Sequence, residues 1–220
     1  MNLLAFETAT PRGGAALVVN DALVGQRTID DAQAHSRFCL KAAEELLAEA
    51  GLQWSDIDVY AASHGPGSFT GVRVGLTLAK SLAYAAGKQV FTVSSLAAIA
   101  RNSYHGGAIT EVMPLIDARM DEVYGAIHRI VNGALVLEPV KEFCAKPNDI
   151  LNLVTPTTLL CGEGARRHAD LFRGNLAPED RMLSEPSATA LLALTMLKSH
   201  PPQEPARANA VYWRDPVRKP

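Results

Sequence analysis

Two acidic residues stand where apolar runs end, and they are the candidates for phosphate or metal chemistry. Glu7 is followed by the hydroxyl residues Thr8 and Thr10, and Asp117 ends a second apolar run. Folds that bind ATP use acids at such strand ends to hold Mg²⁺ and phosphate. An acid that caps a turn gives the same pattern, and the polar segment 117–122 is equally typical of a hairpin tip. Spacing assembles no set of nucleophile, base and orienting group, so we assign no catalytic residue.

The segment 64–73 is rich in glycine and reads His-Gly-Pro-Gly-Ser-Phe-Thr-Gly-Val-Arg between a predicted strand and a predicted helix. Free N–H groups at the start of a helix can cradle an anion. A phosphate-binding P-loop, however, needs a lysine directly after its last glycine, and the first lysine here is Lys80. A nucleophile elbow needs glycines around the serine, but Pro66 and Thr70 flank Ser68 at those positions. The pattern therefore favours a structural connection that lets strand and helix pack closely.

The histidines and cysteines are too scattered to predict a metal site. No pair of histidines has the H-x-x-x-H or H-E-x-x-H spacing, and no C-x-x-C occurs. A metalloprotease would need such ligands, so this function is disfavoured. The residues in question are His35, His64, His105, His128, His168 and His200, with Cys39, Cys144 and Cys161.

Composition limits the class of protein and its compartment. The chain has 220 residues, 48% of them hydrophobic, and a formal net charge of −2. This excludes a disordered chain and gives the whole protein no electrostatic attraction for nucleic acid. The start of the chain lacks the basic region of a signal peptide, and the longest apolar candidate, 74–86, is interrupted by Lys80. We therefore expect a cytoplasmic protein with no membrane association.

Hydrophobic patterning predicts an α/β chain. Its first half reads as two antiparallel strands, a third strand, a helix, a strand, a helix and a strand. A short helix capped by Ser94 or Ser95 follows and runs through Ala100. The predicted bounds are Leu3–Phe6, Ala15–Val19, Leu23–Ile29, helix Ser36–Ala50, Ile57–Ala62, helix Gly71–Ala86 and Val90–Val93.

A weak repeat divides the chain into two halves. The run that ends at Glu7 lies 110 positions before the run that ends at Asp117, which suggests a duplication. With the boundary at Gly106-Gly107, we expect subdomains over 1–105 and 106–206, and a tail, 207–220, that returns to the first. The later elements are predicted as strands Leu135–Val140 and Thr158–Cys161 and helices Glu163–Phe172 and Ser187–Lys198.

The tail is basic: Arg207, Arg214, Arg218 and Lys219 against Asp215 give it a net charge of +3. It is open whether this segment lies near RNA or an acidic partner, or is simply solvated.

The helix predicted over 71–86 is apolar on two sides. One row suits the sheet and consists of Val72, Leu76, Ala79 and Ala83. A second row points nearly the opposite way and consists of Val74, Leu78, Ser81 and Ala85. A polar strip of Arg73, Thr77, Lys80 and Tyr84 separates them. The second row needs its own partner, either inside this chain or in another protein.

The helix predicted over 36–50 shows the same feature more weakly. Its core row consists of Cys39, Ala43, Leu46 and Ala50, and we expect Phe38 and Ala42 to lie away from it, beside Glu45 and Glu49. Either these spare faces pack inside the chain, or the two helices form a protein–protein interface.

Several of these segments resemble the bacterial TsaB (YeaZ) family. They are Glu7-Thr8-Ala9-Thr10, the run 65–73, Ser94-Ser95-Leu96 and Asp117-Ala118-Arg119. The likeness covers the first 130 residues in register and continues loosely to Tyr212-Trp213-Arg214. Glu7 stands where the family usually has aspartate.

The resemblance implies a duplicated actin-like ATPase fold of the ASKHA class, shared with sugar kinases and Hsp70, in two α/β subdomains. It also implies work in forming N6-threonylcarbamoyladenosine beside the anticodon of tRNAs that read codons starting with A. The catalytic paralogue TsaD would perform the transfer, the ATPase TsaE would dock on the pair, and this chain would be a non-catalytic partner that meets tRNA only through the complex.

The family pairs through its first two helices, which agrees with the apolar faces described above. The implied contacts are Phe38, Ala42, Glu45, Val74, Leu78, Ser81 and Ala85. In isolation the same surface would form a homodimer. The alternative is an ATP-using enzyme in which Glu7 and Asp117 serve phosphate and Mg²⁺; otherwise Glu7, Thr8, Thr10 and Asp117 are a vestigial nucleotide site.

Overall fold

The chain folds around two β-sheets, as seen in a computed structural model that describes residues 1–139, 141–172 and 175–212. The first sheet has the strand order β3-β2-β1-β4-β5. Its strands are β1 (Leu3–Glu7), β2 (Gly13–Val19), β3 (Ala22–Ile29), β4 (Val59–Ser63) and β5 (Gln89–Val93). β1 pairs antiparallel with β2 and parallel with β4. It is buried along its whole length, because helices cover both faces of the sheet.

The second sheet repeats this connectivity. Its strands are β6 (Glu111–Arg119), β7 (Glu122–Val131), β8 (Ala134–Leu135), β9 (Lys141–Ala145), β10 (Thr158–Cys161) and β11 (Asn175–Leu176). Their order is β11-β10-β6-β7-β8, and β9 also pairs with β7. β6 is antiparallel to β7 and parallel to β10, as β1 is to β2 and β4. The two sheets therefore carry the duplication that the sequence repeat suggested.

Helices fill the spaces around and between the sheets. They are α1 (His35–Glu49), α2 (Phe69–Ala86), α3 (Ser95–Ser103), α4 (Glu163–Arg167) and α5 (Pro186–Met196). α1 and α2 share one apolar core with one face of the first sheet, and α3 and α5 cover the other face. α3 also packs on the second sheet, where Leu96 and Ile99 join its core. No helix in the described ranges is long and apolar enough to cross a lipid bilayer.

The bounds of α2 follow from its caps. The Ser68 hydroxyl accepts a hydrogen bond from the Gly71 N–H at 3.2 Å and begins the helix two residues earlier than predicted. Gly87 ends it in the left-handed conformation, at φ 65°, as its position after the apolar pattern predicted. Gly51 plays the same part just after α1, at φ 67°. Ser94 caps α3 through a bond from the Ala97 N–H.

Two predicted elements of the second half are wrong in extent. The helix expected over Glu163–Phe172 ends at Arg167, because the next turns tighten into i→i+3 hydrogen bonds such as that from Leu171 to His168. The strand expected over Leu135–Val140 stops at Leu135, since the chain bends at 137–138, and Val140 lies outside the described residues. The following strand, β9, was not predicted.

The end of the described chain lies on the first sheet. Gln203 forms an isolated antiparallel bridge with Val90, and the Val211 N–H donates to the carbonyl of His64 at 2.8 Å. α5 also packs on the first sheet, through Ala190 and Ala193, although its residues come after the predicted subdomain boundary at 105–106. That boundary stays a prediction, as does the return of the whole tail, whose residues 213–220 are outside the described ranges.

Candidate functional site

Glu7 is the centre of a buried hydrogen-bond network. Its side chain is fully buried at the end of β1. Oε2 accepts hydrogen bonds from the hydroxyls of Thr189 at 2.7 Å, Ser184 at 3.0 Å and Ser63, while Oε1 accepts from the Ala9 N–H at 2.8 Å. Four donors from this chain therefore satisfy the carboxylate. Sequence reasoning missed the three hydroxyls, because they lie 56, 177 and 182 positions away along the chain.

The glycine-rich segment packs against the backbone that follows β1. A Cβ at Gly71 would lie 2.1 Å from the carbonyl oxygen of Thr8, and one at Gly67 would lie 2.5 Å from that of Ala9. The Ser68 N–H donates to the same Ala9 carbonyl at 2.8 Å. The backbone of Thr8 and Ala9 thus lies directly against Gly67 and Gly71, and this close packing is possible because glycine has no Cβ. This confirms the structural interpretation of the segment.

Thr8 and Thr10 are buried as well, and both bond inside the chain. The Thr8 hydroxyl donates to the Gly71 carbonyl at 2.7 Å and accepts from the Gly75 N–H at 3.0 Å. The Thr10 hydroxyl donates to the carbonyl of Arg12 at 3.0 Å. Both threonines therefore hold the segment after β1 in place.

Asp117 belongs to a hairpin and an ion pair. Its carboxylate accepts from the Arg119 N–H at 2.9 Å and from the Arg167 guanidinium at 2.6 Å. Burial disfavours the charged form, but these two groups outweigh it and hold the pKa of Asp117 below its usual value. The three residues after Ala118 all have positive φ and form the tip between β6 and β7. The hairpin-tip alternative therefore describes this segment.

The four residues do not fit Mg²⁺ and ATP. Glu7, Thr8 and Thr10 have their polar groups bonded within the protein, and the bonds of Asp117 share no residue with those of Glu7. To coordinate a cation, Glu7 would have to give up donors in the core. Among the described residues, no group of three or more His, Cys, Asp or Glu side chains could hold a metal ion.

A second acid lies beside Asp117. Glu163, at the first residue of α4, has a buried Oε2 with no hydrogen-bond partner among the residues that the structure describes. Burial raises its pKa to about 7, and the charge of Asp117 adds to this, while the nearby Arg166 lowers it.

The second apolar row of α2 borders an open groove. Val74 and Leu78 are half-buried, and Ser81 and Ala85 are exposed. A groove of about 400 Å³ is lined by Val74, Leu78 and neighbours that include Ser36 of α1 and Phe69. Phe69 is 40% exposed. The row thus lies on the surface of the chain, where another molecule can reach it.

The three predicted contacts on α1 differ in their exposure. Phe38 is half-buried and packs against the core, and Glu45 is exposed in an ion pair with Lys41 at 3.6 Å. The expectation that Ala42 lies away from the core is wrong: it is buried, 1% exposed, because α1 faces the sheet with positions 39, 42, 43, 46 and 47. Ala42 is therefore too buried to contact a partner directly.

An aromatic–cationic cluster joins α2 to the end of the described chain. The Arg73 guanidinium lies 3.7 Å above the Phe69 ring and donates from Nε to the Tyr212 hydroxyl at 2.8 Å. Lys80 donates to the carbonyl of Ala208 at 2.7 Å. The sequence marked Arg73 and Lys80 as a polar strip and predicted that the tail returns to the first half of the chain. It did not indicate that the tail, 128 to 139 positions later, would lie along this strip.

Comparison with known proteins finds a family model and named relatives that concern threonylcarbamoyladenosine in tRNA. A family model described as TsaD, tRNA N6-adenosine threonylcarbamoyltransferase, matches residues 28–180. The tRNA threonylcarbamoyladenosine biosynthesis protein TsaB of Bacillus subtilis is 33% identical over 135 residues, 61% of this chain and 58% of that protein. The Escherichia coli protein of the same name is 37% identical over 126 residues, 57% and 54% respectively. These alignments span a little over half the length of the TsaB proteins.

An uncharacterized protein of Mycobacterium tuberculosis is 33% identical over 220 residues, 99% of this chain and 94% of that protein. Among solved structures, YeaZ from Pseudomonas aeruginosa matches with a TM-score of 0.83 at 27% identity, over 96% of this chain and 99% of that one. Component A of Acidaminococcus fermentans (R)-2-hydroxyglutaryl-CoA dehydratase matches at 0.50 with 8% identity, over 90% and 99%. That likeness concerns the fold alone, which is the actin-like ASKHA fold.

Proposed function

The chain belongs to the TsaB (YeaZ) family, and on that premise we propose that it is a non-catalytic subunit of the assembly that forms N6-threonylcarbamoyladenosine in tRNA. The modified base would be the adenosine beside the anticodon of tRNAs that read codons starting with A. TsaD would carry out the transfer in the cytoplasm. This chain would scaffold or activate TsaD and help to recruit the ATPase TsaE.

The observation that carries the proposal is the open apolar row on α2. Val74 and Leu78 are only half-buried and line a groove of about 400 Å³, with the exposed Phe69 at its edge. Apolar surface that is left open on a folded chain marks a protein–protein contact more often than chance. α1 adds the half-buried Phe38 and the exposed Glu45 on the neighbouring helix.

The non-catalytic part of the proposal rests on Glu7. Its carboxylate has four donors from within the chain, and the glycine-rich segment beside it is filled by the backbone of Thr8 and Ala9. A carboxylate that coordinates Mg²⁺ needs oxygens that can turn to the metal instead of to other donors. This arrangement supports a subunit of the same fold in which Glu7 and the glycine-rich segment make internal packing contacts and bind no nucleotide.

TsaD is the partner that we propose for this surface, with contacts through Phe38, Glu45, Val74, Leu78, Ser81 and Ala85. Burial of Val74 and Leu78 against another apolar helix would contribute on the order of 1 to 2 kcal/mol each. When TsaD is absent, a second copy of the chain would cover the same row in a symmetric homodimer.

A charge in the apolar row tests the proposal. We expect Leu78→Asp to abolish capture of the chain by immobilised TsaD and to lower threonylcarbamoyl transfer in a reconstituted TsaD–TsaE mixture at least tenfold. Leu171→Asp is the matched control, because Leu171 is 41% exposed on the turn after α4 in the other half of the chain. The purified chain alone should transfer nothing.

Unchanged TsaD capture by Leu78→Asp would rule out this interface. Titration with Mg·ATP addresses the enzymatic alternative: micromolar binding that is lost in Glu7→Ala, with the variant still folded, would contradict the non-catalytic role.

A further inference from the structure

A second groove, of about 470 Å³, lies on the other side of Arg73, between α2 and the returning segment 208–212. Its polar lining consists of Arg73, Thr77, Lys80, Ser81, Asn209 and Tyr212. Every one of these side chains can donate a hydrogen bond, and no carboxylate is among the lining residues. Such a lining is suited to an anion.

The two cations of the groove have no acidic partner. Within the described ranges, neither Arg73 nor Lys80 lies within 4.0 Å of a carboxylate oxygen, whereas five other arginines are paired with acids. Among the described residues, the hydrogen-bond acceptor of the Lys80 ammonium group is a backbone carbonyl, that of Ala208 at 2.7 Å. Both positive charges are therefore available to a ligand that enters the groove.

Arg73 is held in one orientation before any ligand arrives. Its guanidinium lies over the Phe69 ring at 3.7 Å, and the Tyr212 ring centre is 5.6 Å away. The bond to the Tyr212 hydroxyl uses Nε. The two terminal NH₂ groups are the ones that bind phosphate in a bidentate manner, so fixing Nε prepares the side chain for such a contact at little entropic cost.

The spacing of the cations favours an extended anion over a single small one. Arg73 and Lys80 are seven residues apart on one face of α2, which places their Cα atoms about 10 Å apart along the helix axis. Thr77 lies between them on the same strip. Arg207, Arg214, Arg218 and Lys219 lie in the same stretch of sequence as the returning segment, with Asp215 as the single acid.

We propose that this groove binds the phosphate groups of an RNA backbone, and that the chain thereby contributes phosphate contacts of its own to the substrate RNA. The choice of RNA rests on the proposed function, whereas the preference for phosphate rests on the groove itself. A near-neutral protein can bind RNA in this way because backbone contacts need only a local line of cations. The aromatic ring of Tyr212, which lines the groove, adds a surface on which an unpaired base can stack.

The test measures binding of a fluorescent anticodon stem-loop RNA to the full chain by anisotropy at several salt concentrations. Lys80→Met keeps the length of the side chain and removes its charge. We expect it to weaken RNA binding threefold to tenfold and to reduce the slope of log Kd against log salt by about 1. Lys198→Met, at an exposed lysine after α5, is the control that removes the same charge elsewhere.

A second arm titrates the chain with ATP and AMP to separate RNA from free nucleotides. Nucleotide binding that depends on Lys80, with no effect of Lys80→Met on RNA, would overturn the assignment to RNA. Equal RNA affinity for wild-type and Lys80→Met, with circular dichroism showing both folded, would also overturn it.

TsaD capture by the same variants keeps this proposal separate from the preceding one. Lys80→Met should leave capture unchanged while Leu78→Asp abolishes it. Loss of capture in Lys80→Met with full RNA affinity would assign the groove to the protein partner and contradict the RNA proposal. If RNA binding is indifferent to Lys80 but Leu78→Asp still abolishes capture, only the groove proposal fails.

Discussion

The Thr189 hydroxyl donates a hydrogen bond to Glu7 Oε2 over 2.7 Å and so ties the end of β1 to α5, 182 positions later. Ser184 adds a second bond from just before α5, at 3.0 Å. Neither partner is a cation, and the other described donors to this carboxyl group are the Ser63 hydroxyl and the Ala9 N–H. The network fastens the last long helix to the central strand of the first sheet.

Glu7→Gln should lower the free energy of unfolding by about 2 kcal/mol. The glutamine keeps the shape of the side chain but accepts weaker hydrogen bonds than a carboxylate does. It also presents an NH₂ donor to hydroxyl groups that already donate to this position. Urea denaturation followed by circular dichroism measures the change. Glu49→Gln is the control, because it removes an exposed carboxylate paired with Arg27 and should cost less than about 0.5 kcal/mol. Equal stability of Glu7→Gln and wild type would show that the network contributes nothing.

Gly71→Ala should destabilise the chain by more than about 2 kcal/mol or prevent folding. Its Cβ would meet the backbone carbonyl of Thr8 at 2.1 Å, and backbone atoms in a buried strand end cannot move aside as a side chain would. Alanine favours helix by about 1 kcal/mol over glycine, so the sign of the effect is informative. Ser81→Ala, at an exposed site on the same helix, is expected to be neutral or stabilising. A stabilised Gly71→Ala protein would contradict the close approach of the two backbones.

One thiol of the native chain should react with Ellman's reagent at pH 8. Cys39 and Cys161 are fully buried, and burial raises the pKa of each to about 12, with the charge of Glu7 contributing at Cys39. Cys144 is half-buried and is the accessible one. All three should react in denaturant, and Cys144→Ala should remove the native reaction. A native reaction that persists in Cys144→Ala would contradict the burial of the other two.

Local patterns predicted much of the first sheet and its helices. The alternation and turn residues predicted β1 and β2 as an antiparallel pair, and the helical apolar row of Val72, Leu76, Ala79 and Ala83 is buried as expected. Gly87 predicted the end of α2, because a helix that ends in the left-handed conformation selects glycine there. These features depend on neighbours within a few residues, which periodicity and capping report directly.

The prediction was weaker where distant segments decide the environment. Ala42 was placed on an outer face by helical spacing, but α1 presents a wider apolar face to the sheet than a single row. The role of Glu7 depends on Ser184 and Thr189, which come from the other half of the chain. No local pattern reports that a strand-end acid will be enclosed by hydroxyls rather than left open, so the alternatives of phosphate site and structural acid could not be separated by sequence.

The buried carboxyl of Glu163 should make the stability of the chain fall as the pH rises from about 4.5 to 7. In the unfolded chain this group ionises near its ordinary pKa of 4.5, whereas burial and the charge of Asp117 keep it protonated in the folded chain up to about 7. Between those values the folded state binds more protons than the unfolded state, so the free energy of unfolding decreases with pH and levels off above 7.

Glu163→Gln removes this group while keeping its shape. The variant should match wild type near pH 4.5 and exceed it above pH 7 by on the order of 3 kcal/mol, because glutamine imposes no cost of burying a charge. The difference between the urea midpoints of the two proteins across this range is the measurement, since the two chains differ only at residue 163. Glu44→Gln, at an exposed position on α1, should give a difference that does not change with pH. A pH-independent difference for Glu163→Gln would mean that the carboxyl ionises freely in the folded protein, with solvent or a cation reaching the unpaired Oε2 beside Asp117.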